Sequence, residues 1–342
     1  MMQRLVILAP NWLGDAVMAL PAIADVRRGL PGVHLAVAAR AAVAPLFQLV
    51  PDVDETIVLG SAVSLRQVGA WGAIGRELAG RQFDAALLLP NSIHAALLAF
   101  RAGIPERWGY SHGVRRQWLT RSVQRPAVGH QADYYRRLVA SLGFENGPRE
   151  PTVTVADVAR SAAARLLADA GWRGRTPLVA LAPGAAYGGA KRWPPDRFGE
   201  LAATLAADGV QCVLVGSAAD ARTAAEVTRA FTARHAGPIA IVDLTARTDL
   251  PALAGVLTRC RALVTNDSGA MHLAAAAGTP VTAVFGPTNE HATRPIGDAH
   301  TVVAHAVWCR PCMLRECPID HRCMQGVTVG AVVDAARRTM RR

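Results

Sequence analysis

The sequence lacks the apolar segments that direct a protein into or across a membrane. Residues 1–10 hold only a short apolar run, whereas a secretory signal peptide needs a basic start and a longer apolar core. The longest stretch without a formal charge, residues 268–289, contains too many helix breakers to form one spanning helix. These breakers are Gly278, Pro280, Gly286 and Pro287. We therefore expect a cytoplasmic protein without a transmembrane helix.

Acidic residues are fewer than basic residues. The chain has 37 Lys and Arg residues against 26 Asp and Glu residues, which gives a formal net charge of +11 at pH 7. Such a basic surface can simply be solvated, or it can meet an anionic partner such as nucleic acid, anionic lipid or a phosphorylated substrate. Net charge alone leaves these alternatives open.

Cysteine is sparse, and four of the six residues lie close together in the chain. Cys212 and Cys260 stand in apolar surroundings and are expected in the core. The other four are Cys309, Cys312, Cys317 and Cys323. In a cytoplasmic protein such a cluster indicates a structural metal site or redox-active thiols more than a disulfide framework. Its spacing matches no standard zinc finger, and reduced surface thiols fit the pattern equally well.

Short apolar runs alternate with amphipathic segments along the whole chain of 342 residues. Nearly continuous apolar runs are typical of parallel strands that are covered on both faces. The predicted strands are residues 5–9, 33–38, 56–59, 84–89, 178–182, 211–215, 239–242, 262–265 and 281–285. The predicted helices are residues 16–30, 41–49, 65–79, 92–102, 131–142, 198–208, 218–233, 250–260 and 270–277.

A polar segment with Gly and Pro, residues 145–151, interrupts this alternation and is the best candidate for a linker. It divides the chain into residues 1–150 and residues 151–342, each with its own series of strand–helix units. We therefore predict an α/β protein of two doubly wound, Rossmann-like domains. Ligands of such sheets bind beyond the carboxyl ends of the strands, so the loops that follow strands are the candidate sites.

The loop after the first predicted strand is Pro10-Asn11-Trp12-Leu13-Gly14-Asp15. Gly14 permits a tight turn or a close approach to a ligand. Asp15 falls at the start of a helix, where a carboxylate can cap free N–H groups or, at the mouth of a cleft, act as a general base. From these residues alone the capping role is favoured. The loop lacks the G-x-G-x-x-G pattern of a dinucleotide fingerprint.

A glycine-rich loop, residues 182–194, follows the first predicted strand of the second half. Its three glycines allow backbone N–H groups to approach an anion, and two adjacent cations follow them. These residues are Gly184, Gly188, Gly189, Lys191 and Arg192. The combination suits phosphate oxygens, although it is not the pattern of a P-loop. A solvated glycine loop with a charged tip is the alternative.

A third loop, Asn266-Asp267-Ser268-Gly269, joins a predicted strand to an Ala-rich helix. The N-terminus of that helix offers unpaired N–H groups and a partial positive charge, which suit a diphosphate. Asp267 and Ser268 could instead cap the helix, and His272, one turn in, could face a ligand or pack in the core. Together with the glycine-rich loop of the same domain, this loop predicts a nucleotide diphosphate site.

Arginines and aromatic residues are interleaved between residues 107 and 125. They are Arg107, Trp108, Tyr110, Arg115, Arg116, Trp118, Arg121 and Arg125. Aromatic rings between arginines can stack on bases, or on sugar rings beside phosphate groups. A mobile basic loop would explain the same composition.

Taken together, these loops resemble those of the bacterial heptosyltransferases. The segment N-W-L-G-D-A-V-M-A-L-P-A resembles the first motif of that family, and P-G-A-x-x-G-x-A-K-R-W-P and T-N-D-S-G-x-M-H resemble its donor motifs. Leu89-Pro90-Asn91-Ser92 and residues 102–109 match as well, so the resemblance covers most of the chain in order. The donor motifs are closer to those of the enzymes that add the second inner-core heptose than to those that add the first.

The resemblance implies a GT-B fold, in which two Rossmann-like domains face each other across a cleft. The first would bind the acceptor and the second the nucleotide sugar. It implies an inverting glycosyltransferase that moves L-glycero-D-manno-heptose from ADP-heptose to the first heptose of the lipopolysaccharide inner core. It also implies that no metal and no other cofactor is required.

The resemblance further implies roles for individual residues. Asp15 would be the general base, which reverses the preference for a cap. Lys191 would hold the diphosphate and offset charge on the leaving ADP. The other expected donor contacts are Gly14, Gly184, Asp220, Asp267, Ser268, Gly269 and His272. The expected acceptor contacts are Asn91, Arg115 and Arg116.

Other functions remain open beside this one. Another GT-B nucleotide-sugar enzyme, of the heptosyltransferase I type or a sugar-nucleotide epimerase, would keep the donor loops, and an epimerase would need no acceptor surface. A basic nucleic-acid-binding protein would use the charge but gives no role to the loops of Lys191 and Asp267, so we expect no nucleic-acid partner. The same charge would favour peripheral contact with an anionic inner-membrane surface.

Overall fold

The computed structural model describes residues 2–60, 68–127 and 129–341. The chain forms two compact units, Met1–Thr152 and Val153–Arg342. Each unit contains a six-stranded parallel sheet whose strands alternate with helices. The predicted fold class, with two doubly wound α/β sheets, is therefore confirmed.

The sheet of the first unit has the strand order β3-β2-β1-β4-β5-β6. Its strands are β1 (Arg4–Leu8), β2 (His34–Arg40), β3 (Glu55–Leu59), β4 (Ala85–Leu88), β5 (Glu106–Tyr110) and β6 (Arg121–Val123). The helices of this unit are α1 (Leu13–Met18), α2 (Leu20–Gly29), α3 (Val68–Gly80), α4 (Ile93–Arg101) and α5 (Gln131–Ser141). Two short 3-10 helices span Ala44–Leu49 and Gly113–Trp118.

The sheet of the second unit has the order β12-β11-β10-β7-β8-β9. Its strands are β7 (Leu178–Ala182), β8 (Gln211–Leu214), β9 (Val242–Asp243), β10 (Ala262–Asn266), β11 (Val281–Phe285) and β12 (Thr301–Ala304). Its helices are α6 (Asp157–Asp169), α7 (Pro195–Ala207), α8 (Ala221–Thr232), α9 (Leu250–Leu257), α10 (Gly269–Ala276), α11 (Glu290–Thr293), α12 (Arg322–Gln325) and α13 (Val329–Met340). Two 3-10 turns span Gly189–Lys191 and Ala218–Asp220.

The central strands form because their side chains are apolar on both faces. Every residue of β7, β10 and β11 is buried. In the sheet register, Leu181 of β7 lies between Val264 of β10 and Leu214 of β8. Burial on both faces is expected for parallel strands that helices cover on each side. It explains why continuous apolar runs marked these strands in the sequence.

Several predicted helices differ from the observed ones for local reasons. The predicted helix 16–30 is two helices, α1 and α2, which meet at Ala19. Pro21 stands in the first turn of α2, and because proline has no N–H it cannot continue the hydrogen-bond ladder of α1. Residues 41–49 form only the 3-10 helix Ala44–Leu49, and the predicted helix 218–233 opens with a 3-10 turn. The first residues of the predicted helix 65–79 lie outside the described residues.

The sequence patterns missed several elements. The interpretation of residues 107–125 as a mobile basic loop is wrong, because this stretch contributes most of β5, a 3-10 helix and β6 to the sheet of the first unit. In the second unit, α6, β12 and α13 were not predicted. In the described parts of the chain, no helix has the length and apolar character needed to cross a membrane.

Candidate active site

The strand orders locate one candidate site in each unit. In the second unit the order reverses between β7 and β10, which are direct neighbours although two strands separate them in sequence. At such a switch point the connections leave the sheet in opposite directions and open a crevice at the carboxyl ends of the strands. The loop after β7 is the glycine-rich loop, and the loop after β10 begins at Asp267. The fold thus brings together the two loops that the sequence indicated as a diphosphate site.

Asn266, the last residue of β10, fastens the glycine-rich loop at both ends. Its side chain is fully buried. The amide Nδ2 donates to the carbonyl of Pro183 at 2.7 Å, and Oδ1 accepts from the backbone N–H of Trp193 at 3.0 Å. Because one amide side chain forms hydrogen bonds with both ends of the loop, the loop that carries Lys191 is held in a fixed position beside β10.

Lys191 and Asp267 form a buried ion pair at this crevice. The Nζ of Lys191 donates to Oδ2 of Asp267 at 2.6 Å, and the two side chains are 13% and 6% exposed. The hydroxyl of Thr288, which follows β11, donates to the same carboxylate oxygen at 2.7 Å. Lys191 is the only lysine of a chain that is otherwise rich in arginine. A compact ammonium group therefore stands where residues from the loops after β7, β10 and β11 come together.

The N-terminus of helix α10 lies next to this pair. Ser268 is the N-cap residue, but its side chain makes no capping hydrogen bond and instead contacts the hydroxyl of Thr265 at 3.1 Å. The alternative that Asp267 or Ser268 caps the helix through its side chain is therefore wrong in this structure. Gly269 begins the helix, and His272, one turn further, is 4% exposed. The first N–H groups of such a helix favour an anion.

Asp220 reaches the glycine-rich loop from the other side of β7. It lies in the turn after β8, where its carboxylate accepts hydrogen bonds from the N–H and hydroxyl of Ser217. A Cβ atom at Gly184 would collide with this carboxylate, so a larger residue there would require the Asp220 side chain to move. The structure therefore places Asp220 beside Gly184 of the glycine-rich loop.

In the first unit the strand order reverses between β1 and β4, and Asp15 and Asn91 lie in the segments that follow these strands. Asp15 is the third residue of α1, while Trp12 occupies the N-cap position. The interpretation of Asp15 as the N-cap residue is therefore wrong. Burial raises the pKa of the Tyr135 hydroxyl well above its usual range, and the negative charge of the Asp15 carboxylate raises it further. Helix α1, which carries Asp15, packs against α5, which carries Tyr135.

Asn91 belongs to a polar group at the same edge of the first sheet. Its Nδ2 donates to the hydroxyl of Tyr134 at 2.7 Å, and its Oδ1 accepts from Nη1 of Arg115 at 3.3 Å. The Tyr134 ring stacks on Tyr110 at 4.5 Å, and the Tyr110 hydroxyl donates to the backbone carbonyl of Tyr134. Tyr134 connects these residues, and no motif in the sequence had indicated it.

Arg115 is fully buried, which the basic composition of its neighbourhood did not suggest. Burial lowers the pKa of its guanidinium to about 10 because desolvation disfavours the charged form. Its Nε and Nη2 have no hydrogen-bond partner among the described residues. Gly109 makes room for it, since a Cβ there would lie 2.8 Å from Nη2. Arg116, by contrast, is exposed. The two expected acceptor arginines therefore stand in different surroundings.

Comparison with known proteins identifies the family of this chain. The model of glycosyltransferase family 9 (heptosyltransferase) matches residues 71–322. The chain belongs to this family. Lipopolysaccharide heptosyltransferase 2 of Salmonella typhimurium is 29% identical over 309 residues, which cover 88% of this chain and 87% of that protein. Lipooligosaccharide heptosyltransferase 2 of Haemophilus influenzae is 30% identical over 317 residues, with 88% of each chain covered.

Solved structures give the same family relationship. The structure of E. coli ADP-heptose lps heptosyltransferase II superimposes with a TM-score of 0.83 at 27% identity and covers 99% of this chain and 98% of its own. A glycosyl transferase family 9 structure from Veillonella parvula has a TM-score of 0.85 at 22% identity, which supports the fold alone. This member of family 9 is therefore a glycosyltransferase with the predicted GT-B fold.

The four clustered cysteines of this family 9 chain lie in residues 309–323, hereafter the cysteine-rich segment. Cys323 is buried, Cys312 is exposed, and Cys309 and Cys317 are half-buried. Burial raises the pKa of the Cys323 thiol, and electrostatic repulsion from the other three cysteines of the segment adds to the effect. In the described parts of the chain, no group of three or more His, Cys, Asp or Glu side chains is arranged to hold a metal ion. The predicted core positions of Cys212 and Cys260 are confirmed.

Proposed function

We propose that this glycosyltransferase moves L-glycero-D-manno-heptose from ADP-heptose to the first heptose of the lipopolysaccharide inner core. The observation that carries the proposal is the Lys191–Asp267 pair, which Asn266 fixes at the switch point of the second sheet. The proposal is also supported by the names of two relatives. One is Lipopolysaccharide heptosyltransferase 2 of Salmonella typhimurium, and the other is the E. coli ADP-heptose lps heptosyltransferase II.

The donor binds to the second unit through its diphosphate. Lys191 contacts the phosphate oxygens and offsets the charge that develops on the leaving ADP. The backbone N–H groups at Gly269 and Ser268, at the start of α10, add a second source of positive potential. Asp267 and His272 are the candidates for the heptose hydroxyls. Asp220 supports the ribose from its position beside Gly184.

The catalytic step needs a base on the acceptor side. Asp15 removes the proton from the acceptor hydroxyl as its oxygen attacks the anomeric carbon of heptose, and the bond from that carbon to the diphosphate breaks. The electron pair leaves with ADP, and attack from the opposite face inverts the configuration. Positioned carboxylates in this role contribute about 10²–10⁴-fold to the rate. Gly14, directly before Asp15, allows the donor to approach the backbone, and no metal takes part in these steps.

The acceptor binds at the polar edge of the first unit. Asn91 and the exposed Arg116 contact the acceptor, whose phosphate groups suit a guanidinium. The buried Arg115 acts through Asn91, which accepts its hydrogen bond. The net charge of +11 favours a peripheral position at an anionic inner-membrane surface, where such an acceptor is held.

The proposal is tested by incubating the protein with ADP-heptose and lipopolysaccharide truncated after the first heptose. We expect one added heptose and an equal amount of released ADP. Lipopolysaccharide without any heptose should remain unchanged. Transfer to that substrate would favour the heptosyltransferase I alternative, and conversion of ADP-heptose without an acceptor would favour an epimerase. If neither transfer nor ADP release occurs, the proposal is refuted.

The role of Asp15 is tested with the variant Asp15→Asn. We expect a loss of transfer rate of at least about a hundredfold, because the amide cannot accept the proton. Binding of ADP-heptose should be unchanged, since the residues proposed to hold its diphosphate lie in the second unit and the change leaves Gly14 in place. The control is Asp157→Asn, which removes a fully exposed carboxylate on α6 and should leave the rate as it is. A near-normal rate for Asp15→Asn would rule out the general-base role.

A further inference from the structure

The cysteine-rich segment packs against the glycine-rich loop of the second unit. The backbone N–H of Ala190 donates to the carbonyl of Arg315 at 2.9 Å, and the hydroxyl of Tyr187 donates to the carbonyl of Met313 at 2.8 Å. A Cβ at Gly188 would collide with the Arg315 carbonyl, so glycine permits this close approach. The segment therefore forms one wall of the candidate diphosphate site.

The same segment is fastened to the loop after β11, which also reaches the site. The Nη2 of Arg310 pairs with Glu290 at 2.8 Å, and its Nε donates to the carbonyl of Gly286 at 2.9 Å. Thr288 lies between Gly286 and Glu290 in the chain, and its hydroxyl donates to the carboxylate of Asp267. These contacts link the glycine-rich loop to the segment, the segment to the loop after β11, and that loop to Asp267, which pairs with Lys191 of the glycine-rich loop. The position of the segment is fixed relative to the lysine.

Two cations flank the ring of Tyr187 in this wall. The Nζ of Lys191 lies 4.7 Å from the ring centroid and the Cζ of Arg315 lies 5.3 Å from it. The two charged groups are therefore no more than about 10 Å apart, the sum of these distances. Tyr187 orients the guanidinium of Arg315 without neutralising it, since an aromatic face holds a cation only by its quadrupole.

The two cations differ in how their charge is balanced. Lys191 already has the carboxylate of Asp267 at 2.6 Å. Arg315 is exposed and, among the described residues, forms no ion pair with a carboxylate. Glu316, its neighbour in the chain, directs its carboxylate to the backbone N–H of Gly189 at 2.9 Å. Arg315 is therefore an exposed positive charge at this wall that no carboxylate of the described residues balances.

We infer that Arg315 is a second cation for the diphosphate of the donor, presented by the cysteine-rich segment and oriented by the ring of Tyr187. The inference rests on the proposed function of this site. Lys191, deep in the crevice and already paired, acts on the leaving group. Arg315, at the rim and unpaired, contributes to binding because a guanidinium forms two parallel hydrogen bonds to phosphate oxygens.

The test compares the binding of ADP and adenosine by calorimetry in wild type, Arg315→Gln and Arg322→Gln. Arg322 is the matched control, because it lies on the same segment and loses the same charge, but pairs with Asp320 and stacks on Trp308. We expect Arg315→Gln to weaken ADP binding about tenfold, as for a lost charge-assisted hydrogen bond. Adenosine binding should not change, Arg322→Gln should resemble wild type, and Arg315→Lys should recover part of the affinity.

The outcomes separate this inference from the proposal beneath it. Wild-type protein that binds no ADP would refute the donor site itself, and the role of Arg315 with it. Wild-type protein that binds ADP, together with an Arg315→Gln variant within twofold of it, would overturn the inference alone. An equal loss for ADP and adenosine would also overturn it, because it would show a structural role. A smaller dependence of ADP binding on salt in Arg315→Gln than in Arg322→Gln would support direct contact with phosphate.

Discussion

The buried pair of Lys191 and Asp267 predicts a strong energetic coupling between two residues far apart in the sequence. We consider three variants: Lys191→Met, Asp267→Asn and the double variant. Either single change leaves one charged group without its partner in a crevice where the side chains are 13% and 6% exposed. Breaking a buried pair on one side costs about 3–5 kcal/mol. Because Lys191 keeps some contact with solvent, we expect about 3 kcal/mol for each single variant, at the low end of that range.

The double variant distinguishes coupling from independent damage. Removing both charges leaves no unpaired ion, and apolar or neutral replacements of buried pairs are often close to neutral in stability. Independent effects would add to about 6 kcal/mol, whereas we expect the double variant to lose no more than about 3 kcal/mol. The expected coupling free energy is therefore at least about 3 kcal/mol.

This coupling is measured in the full chain by urea denaturation, with unfolding monitored by hydrogen exchange and mass spectrometry. Peptides from residues 183–194 and 262–290 report the second unit, and peptides from the first unit serve as an internal control. A coupling below about 0.5 kcal/mol, the range found for independent sites, would refute the reasoning. The double variant should be more stable than the sum of the single effects predicts and yet bind ADP poorly, because it no longer carries the lysine.

Three further expectations follow from individual side chains. Lys191→Arg keeps the charge, but we expect at least about a tenfold loss of ADP affinity in calorimetry, because a planar guanidinium does not fit the place of a compact ammonium; wild-type affinity would contradict this. Arg115→Met should leave the free energy of unfolding unchanged or raise it by about 1 kcal/mol in urea titrations, since it removes a buried charge with unpaired N–H groups. The KM for the acceptor should rise. A large loss of stability would show that the charge is needed for folding. At pH 8 an aromatic disulfide reagent should modify Cys312 rapidly and leave Cys212 and Cys260 intact until urea is added. Burial raises the pKa of the Cys212 and Cys260 thiols, that of Cys212 to about 12. Early modification of Cys212 would contradict its placement in the core.

The strands of both sheet centres could be predicted because their apolar runs have no competing interpretation. β7 and β11 begin and end at the predicted residues, 178–182 and 281–285. Strands with mixed composition could not be recognised. Glu106-Arg107-Trp108-Gly109-Tyr110 forms β5, where Arg107 donates to the backbone carbonyl of Trp118 and Glu106 accepts from the hydroxyl of Thr120. Their polar character is satisfied by neighbours that only the fold brings close.

The sequence predicted which loops form the site, but not which side chains pair with each other there. A glycine-rich turn and a helix start were visible at residues 182–194 and 266–269, and the strand order places them side by side. That Lys191 pairs with Asp267 depends on the register of β7 and β10, which local sequence does not contain. The contribution of Thr288 and of the cysteine-rich segment has the same origin. Likewise, no pattern distinguishes the buried Arg115 from the exposed Arg116.

The central claim, that Lys191 holds the diphosphate of the donor, can be tested without any mutation. Because Lys191 is the only lysine, reductive methylation can modify only this side chain and the α-amino group of the purified chain. The account predicts that ADP-heptose slows methylation of Lys191, measured by peptide mass spectrometry, while adenosine does not and the α-amino group reacts at an unchanged rate. Equal methylation of Lys191 with and without saturating ADP-heptose would contradict the account.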